Sequence, residues 1–364
     1  MPPDSSDSPA ALCPSCGAPC DPADQFCESC GAVLGSPASA SVAGSAGSAA
    51  STVDDIRTHV IRLAASTCAA CGGALDPDRW CTQCGLRAPS ERDHWSEQPS
   101  AWVSGVCDRG IRHARNEDAM AIAALAAPGS FAALVVCDGV TTAAESDKAS
   151  LAAARAARDV LAGGPRDGDG DSPAARIVHW TTRLEAATAA ANRAASAVAA
   201  QVTSDLEPPS CTFVAAVLEG ALLTVGWVGD SRAYWLADEG QVAQLSVDDS
   251  WATDQIAAGM AREVAEADPR AHSITRWLGA DSHDAVARCA SLTVDGPGWL
   301  LVCSDGLWNY CSSADEMRRL VAATVAERSD DPLVLAQGLV DFANGQGGHD
   351  NITVALARVP AASD

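Results

Sequence analysis

From about Trp102 onward the chain alternates short apolar runs with long alanine-rich stretches. The runs at 102–108, 118–125, 131–137, 211–219, 221–228, 231–237, 298–304 and 351–358 have the length and turn-residue borders of strands. Two helical stretches, about 143–162 and 174–201, fall between the third and fourth runs and are joined by the breaker "GGPRDGDGDSP". The runs 211–219 and 221–228 have only a one- or two-residue turn between them, which forces antiparallel pairing. Hairpins with helices inserted in blocks predict an α+β domain, most simply two packed antiparallel sheets flanked by helices.

The first hundred residues have a different texture. Nine of the chain's fifteen cysteines lie before residue 90, and eight of them form four CxxC pairs. Cys13 and Cys16 pair with Cys27 and Cys30, and Cys68 and Cys71 with Cys81 and Cys84. Each pair is followed by glycine, which allows the tight turn that aims amide N–H groups at the thiolates just passed. Two such knuckles supply the four sulfurs of a tetrahedral site, so both groups resemble zinc ribbons, each holding one structural Zn2+. Metal would supply most of the folding energy of segments so poor in apolar residues. The expected organisation is a ribbon at 1–34, an Ala/Ser/Gly-rich linker at 35–66, a second ribbon at 67–86, a polar connector at 87–100 and a large domain at 101–360. Cys20 is spare. The cysteines at 107, 137, 211, 289, 303 and 311 read as small buried hydrophobes.

A formal net charge of −23 opposes a phosphate-backbone ligand. The start, "MPPDSSDSPA", has neither the basic nor the apolar region of a secretory signal, and no apolar run is long enough to span a bilayer. A cytoplasmic protein without nucleic-acid or membrane partners is expected.

Acidic residues recur at strand ends. "VVCDG" ends on Asp138, "GDSRAYW" carries Asp230, "SDGLW" carries Asp305, "GHDNITV" carries Asp350, and "RNEDAM" adds Glu117 and Asp118. A single such carboxylate is ordinarily a turn residue. Five clusters gathered at one site would repel each other unless cations neutralised them, and hard oxygen ligands suit magnesium or manganese. The loop acids Asp167, Asp169 and Asp171 mimic the opening of a calcium loop, but Ser172 stands in place of its turn glycine and Val178 in place of its bidentate Glu.

The ordered segments GIRHARNED, DG, GDSRAYW, SDGLW and GHDNITV resemble the metal-dependent serine/threonine protein phosphatases of type 2C, bacterial type, over roughly residues 101 to 360. The resemblance implies a four-layer α-β-β-α sandwich with a binuclear Mn2+ or Mg2+ centre at one edge. It implies that Asp138 bridges both metals, that the Gly139 carbonyl ligates one, and that Asp305 and Asp350 ligate the other. Asp118 and Glu117 would hold metal-bound waters, and Asp230 would help form a third, weaker site. Water activated between the cations would attack phosphorus in line. The family's phosphate-binding Arg is replaced by His113. Arg115, on the same face if the segment is an extended strand, would supply the guanidinium instead, with Arg112 the weaker choice. Val140 follows the DG where many eukaryotic members carry His, which leaves the general acid open. The stretch 246–279 corresponds to a flap beside the site. The implied partners are phosphorylated proteins, substrates of a Ser/Thr kinase, with the ribbons serving recruitment or regulation. Two other classes remain open: a catalytically silent phosphoprotein-binding protein, and a zinc-ribbon nucleic-acid module with a regulatory domain.

Overall fold

The apolar runs become strands that bury both faces, because two sheets pack together and helices cover them outside. In the computed structural model, residues 11–12, 19–20, 60–61, 67–68, 71–76, 80–85, 88, 90–164, 172–202 and 207–361 are described. The chain divides into two units, Met1–Ser51 and Thr52–Asp364. In the first, strands β1 (Ala11–Leu12) and β2 (Pro19–Cys20) form an antiparallel pair. The cysteines at 13, 16, 27 and 30, the linker around 35–53 and the acidic loop with Asp167, Asp169 and Asp171 lie outside the described residues.

The second unit runs β3 (Val60–Ile61), β4 (His94–Ser100), β5 (Val103–Asp108), β6 (Ala119–Ala124), β7 (Phe131–Cys137), α1 (Ser146–Leu161), α2 (Pro173–Ala199), β8 (Ser210–Cys211), β9 (Phe213–Glu219), β10 (Leu222–Val228), β11 (Arg232–Ala237) and β12 (Val242–Gln244). It continues with α3 (Trp251–Ala257), α4 (Arg262–Glu266), β13 (Leu278–Gly279), β14 (Arg288–Thr293), β15 (Gly298–Cys303), α5 (Asp305–Trp308), α6 (Ala314–Glu327), α7 (Pro332–Gly345) and β16 (Ile352–Val359). One sheet has the order β14-β10-β9-β7-β6 and the other β12-β11-β15-β16-β5-β4-β3, and every pairing in both is antiparallel.

Strand parity sorts side chains into three cores. Leu134 and Val136 of β7 join Met120, Leu223, Leu300 and Val302 between the sheets. Ala133, Val135 and Cys137 face the opposite way, against Ala149 and Ala153 of α1 and Trp180 and Leu184 of α2. The outer face of the second sheet packs on Leu307, Met317, Leu335 and Leu339 from α5, α6 and α7. This is the expected α-β-β-α order. Truncating a fully buried side chain such as Leu134 to Ala would cost about 2–5 kcal/mol. Local signals fix the helix starts. Ser172 accepts the Ala175 N–H ahead of Pro173, so this residue caps α2. Ser313 and Glu316 form a capping box on α6. The stretch 246–279 carries the short helices α3 and α4 around a small cluster of Ala252, Ala265 and Ala271.

The N-terminal border needs correction. His94–Ser100, inside the expected connector 87–100, is a strand paired with β5 on one side and, through Val60 and Ile61 of the expected linker 35–66, with β3 on the other. Its burial alternates, and Glu97 and Pro99 interrupt the apolar signal. Proline is accommodated because the ladder shifts register between Glu97 and Ser100. Glu97 turns inward and its Oε2 accepts the Ile122 N–H at 2.6 Å, on the strand that ends the other sheet. Burial raises this carboxyl to about 7, against the opposing hydrogen bond from Ile122.

Candidate metal centre

The connections at one end of the sandwich carry the acidic motifs. Asp118 immediately precedes β6, Asp138 follows β7, Asp230 lies between β10 and β11, Asp305 opens α5 after β15, and Asp350 stands just before β16. Glu117 and Asp118 are buried, whereas Asp138, Asp305 and Asp350 keep partial exposure at the mouth. Their charges act on one another. Loss of hydration raises Asp138 well above the usual carboxylate range, and Asp118, Asp305, Asp350 and Asp230 push it further. Asp118 rises to about 7, mainly through burial and then through Asp350 and Asp305, even though hydrogen bonds from Ser304 and Thr353 oppose the rise. Asp305 rises to about 6 by burial and by Asp350. Burial, Asp305 and Asp248 raise Asp230 strongly, against Arg232.

Hydrogen bonds from distant parts of the chain hold these groups. Asp118 Oδ2 accepts from Ser304 Oγ (2.6 Å) and Thr353 Oγ1 (2.7 Å). Asn351 Oδ1 accepts the Glu117 N–H (2.7 Å), and its Nδ2 donates to the carbonyls of Arg109 (2.7 Å) and Arg115 (3.1 Å), bolting the first motif to the last. Thr212 Oγ1 accepts the Asp138 N–H (3.0 Å), and the Thr212 N–H donates to the Asp138 carbonyl (2.7 Å). Gly139 sits so close to Glu117 that an added Cβ would lie 2.6 Å from its carbonyl oxygen. Asp249 Oδ2 accepts the Gly229 N–H (3.0 Å), tying the start of the 246–279 stretch to the Asp230 turn.

Asp118 Oδ1 and Asp305 Oδ1 are buried without a hydrogen-bond partner. Bare carboxylate oxygens among mutually repelling acids fit a cation, and an all-oxygen donor set fits Mn2+ or Mg2+.

The phosphate-side residues fall differently from the expectation. Residues 111–115 form turns and bends rather than an extended strand, so strand parity does not relate His113 to Arg115. His113 Nε2 lies 3.4 Å from Asp350 Oδ1. The guanidinium of Arg115, whose side chain is 51% exposed, donates from Nε (3.0 Å) and Nη2 (2.7 Å) to Glu117 Oε1. Arg112 is exposed. Ser304, Thr353, Asn351 and Thr212 were missed as supporting residues. The first three lie within or beside the acidic motifs; Thr212 carries no sequence signal.

The second cysteine group forms a separate, local site. The Sγ atoms of Cys68, Cys71, Cys81 and Cys84 all lie within 4.8 Å of one another. Cys68–Cys84 are 3.6 Å apart and Cys71–Cys81 3.4 Å, too long for disulfides but near the ~3.8 Å edge of a zinc–thiolate tetrahedron. Gly72 and Gly85 both have φ of 72°, which closes each knuckle with the hydrogen bonds Gly72 N–H to Cys68 O and Gly85 N–H to Cys81 O. The N–H groups of Cys84 and Gln83 point at Cys81 Sγ and lower its thiol to about 6. The Gly73 N–H pulls Cys71 down, but contact with the other thiols and burial outweigh it and raise Cys71 to about 12. Of the scattered cysteines, 107, 137, 211, 303 and 311 are buried, as expected.

A two-sheet sandwich bearing an acidic, cation-fitting centre at one end defines the class of protein. The family model for protein phosphatase 2C matches residues 110–342, and the chain belongs to that family. Serine/threonine protein phosphatase PstP of Mycobacterium tuberculosis is 30% identical over 255 residues, 69% of this chain and 44% of that protein. Protein phosphatase PhpP of Streptococcus pneumoniae is 37% identical over 134 residues, 36% of this chain and 51% of that protein. The chain thus spans about half the length of these relatives. The catalytic domain of PstP in complex with two manganese ions aligns with a TM-score of 0.52 at 27% identity, over 71% of this chain and 97% of that one. Among the described residues no helix is long and apolar enough to cross a membrane.

Proposed function

We propose that the chain is a protein serine/threonine phosphatase that hydrolyses phosphoserine and phosphothreonine at a binuclear Mn2+ or Mg2+ centre. The observation that carries this reading is the convergence of Asp118, Asp138, Asp230, Asp305 and Asp350, with two buried carboxylate oxygens left bare. Asp138 would be shared by both cations, with Gly139 on one and Asp305 and Asp350 on the other. Glu117 and Asp118 would act through intervening waters, and Asp230 would serve a third site. A cation pair held there lowers the pKa of water toward neutrality and offsets charge developing on the phosphoryl oxygens.

The protein's own groups then have defined tasks. Ser304 and Thr353 fix Asp118 so that only Oδ1 remains available. Asn351 keeps Glu117 in place. Arg115, anchored on Glu117 at the exposed rim, is positioned to meet an incoming phosphate. The Cys68, Cys71, Cys81 and Cys84 site holds structural Zn2+, and Cys13, Cys16, Cys27 and Cys30 supply the donors of a second. The substrates are phosphorylated proteins of the cytoplasm, products of a Ser/Thr kinase.

The test uses the full chain and a phosphothreonine peptide. Release of phosphate should require added Mn2+ or Mg2+ and cease with EDTA, and metal analysis before chelation should find about two zinc per chain. Turnover that continues in EDTA overturns the metal mechanism.

A further inference from the structure

The family match begins at residue 110, yet a side chain upstream of it reaches the first acidic motif. Arg92 Nη2 donates to the carbonyl oxygens of Asp118 (2.8 Å), Asp147 (3.1 Å) and Asn116 (3.4 Å). Asn116 reciprocates, its Nδ2 donating to the Arg92 carbonyl at 2.9 Å while its Oδ1 accepts the Asp118 N–H at 3.1 Å. The guanidinium therefore ties the loop before β6 to the first turn of α1.

Arg92 is itself held by a rigid turn. Ser90 Oγ accepts the Arg92 N–H (3.2 Å) and donates to Asp93 Oδ1 (2.9 Å). The Ser90 N–H donates to Asp93 Oδ2 (3.0 Å), and the Asp93 carbonyl accepts the Arg109 N–H (2.7 Å). The turn leads directly into β4, an interior strand of the seven-stranded sheet. Arg92 Nη1 is buried without a partner. One nitrogen, Nη2, reaches all three carbonyls, so the planar guanidinium is held against the loop in an orientation that a flexible ammonium reproduces only in part.

We propose that Arg92 is a positioning residue for the metal-holding loop, so that the segment upstream of the family domain forms part of the working site. The carboxylate of Asp118 is oriented by Ser304 and Thr353 and its backbone carbonyl by Arg92. Removing the guanidinium frees residues 116–118 and costs affinity for the cations, because Glu117 and Asp118 would then no longer hold the metal-bound waters in a fixed orientation. The proposal rests on the binuclear-centre reading.

The test measures Mn2+ binding to the chelator-treated full chain by calorimetry, together with kcat and KM for a phosphothreonine peptide at saturating Mn2+. Arg92→Ala should weaken Mn2+ binding by about tenfold or more and leave KM within about twofold, while Arg92→Lys recovers part of the loss. Mn2+ affinity within about twofold of wild type in Arg92→Ala overturns the proposal. So does a change in KM as large as the change in Mn2+ affinity. Should Arg92→Ala fail to fold, Arg92→Lys decides: weakened Mn2+ binding in a folded chain supports the proposal, and wild-type binding overturns it. A wild-type chain that binds no Mn2+ overturns the metal-centre reading itself, and this proposal with it.

Discussion

The acidic centre and the cysteine site each gather side chains of metal-ligand type, and they are assembled in opposite ways. The four thiols come from residues 68 to 84, and the backbone hydrogen bonds that shape the knuckles lie within the same stretch. The carboxylates come from five connections between residues 118 and 350, and Asn351 alone reaches back to Glu117, Arg109 and Arg115. A local site can form wherever its short segment turns correctly. A dispersed one exists only once the sandwich has closed, and closure raises the proton affinity of its carboxylates.

The sharpest separation of the two should come from Asp138→Ala. It removes the shared donor of the acidic centre, and kcat on a phosphothreonine peptide should drop at least about a thousandfold with zinc content unchanged. Turnover within tenfold of wild type in steady-state assays would remove Asp138 from the mechanism. A smaller effect is expected at the rim. Arg115→Ala should raise KM about tenfold and His113→Ala less than about threefold, since a guanidinium makes paired contacts to phosphate that imidazole does not. The reverse ranking would assign the phosphate to His113, which already sits 3.4 Å from Asp350.

Cys81→Ser probes the local site. It should lower zinc content by about one per chain and leave kcat within about threefold, under ~1 kcal/mol in barrier. A hundredfold loss of kcat would erase the distinction between the two sites. A deletion meant to remove the cysteine site must stop short of Arg92 and β4, because one through residue 100 removes an interior strand as well.

The smallest effect concerns Glu97, which joins the sheets away from both sites. Its folded-state carboxyl is raised to about 7, so its stabilising contribution is present at low pH and is lost as pH rises through about 7. Glu97→Gln removes that titration. The melting temperature of the variant minus that of the wild type should therefore increase between about pH 5.5 and about pH 8, by a few degrees. A constant difference across that range would show that Glu97 is not held protonated by burial.

The knuckles of the second cysteine group were legible from spacing and glycine alone, and the structure places Gly72 and Gly85 in the conformation that reading requires. The main strands were legible because "FAALVVC" or "GWLLVC" buries both faces and leaves a continuous apolar run. β4 was not, since "HWSEQPS" buries only alternate residues, one of them a glutamate. β14 was missed because, as an edge strand, it buries none of its six residues fully and so leaves no apolar run. Of the acidic centre, the carboxylates could be named from the chain. Their neighbours could not, because hydrogen bonds such as Thr353 to Asp118 and Arg92 to Asp118 join residues with no shared local pattern.

Residue order by itself thus determined most of the strands, the two long helices, the antiparallel pairing across short turns, and the identity of the carboxylates and thiols that gather at the two sites. These depend on local periodicity, turn chemistry and donor type, all of which are written along the chain. Only the tertiary structure decided which carboxylate oxygens stay bare, that residues 111–115 bend instead of extending, and that Arg92 reaches the Asp118 backbone. Those outcomes depend on which surfaces meet when the sheets close and exclude water, and that is set by packing between residues far apart in sequence.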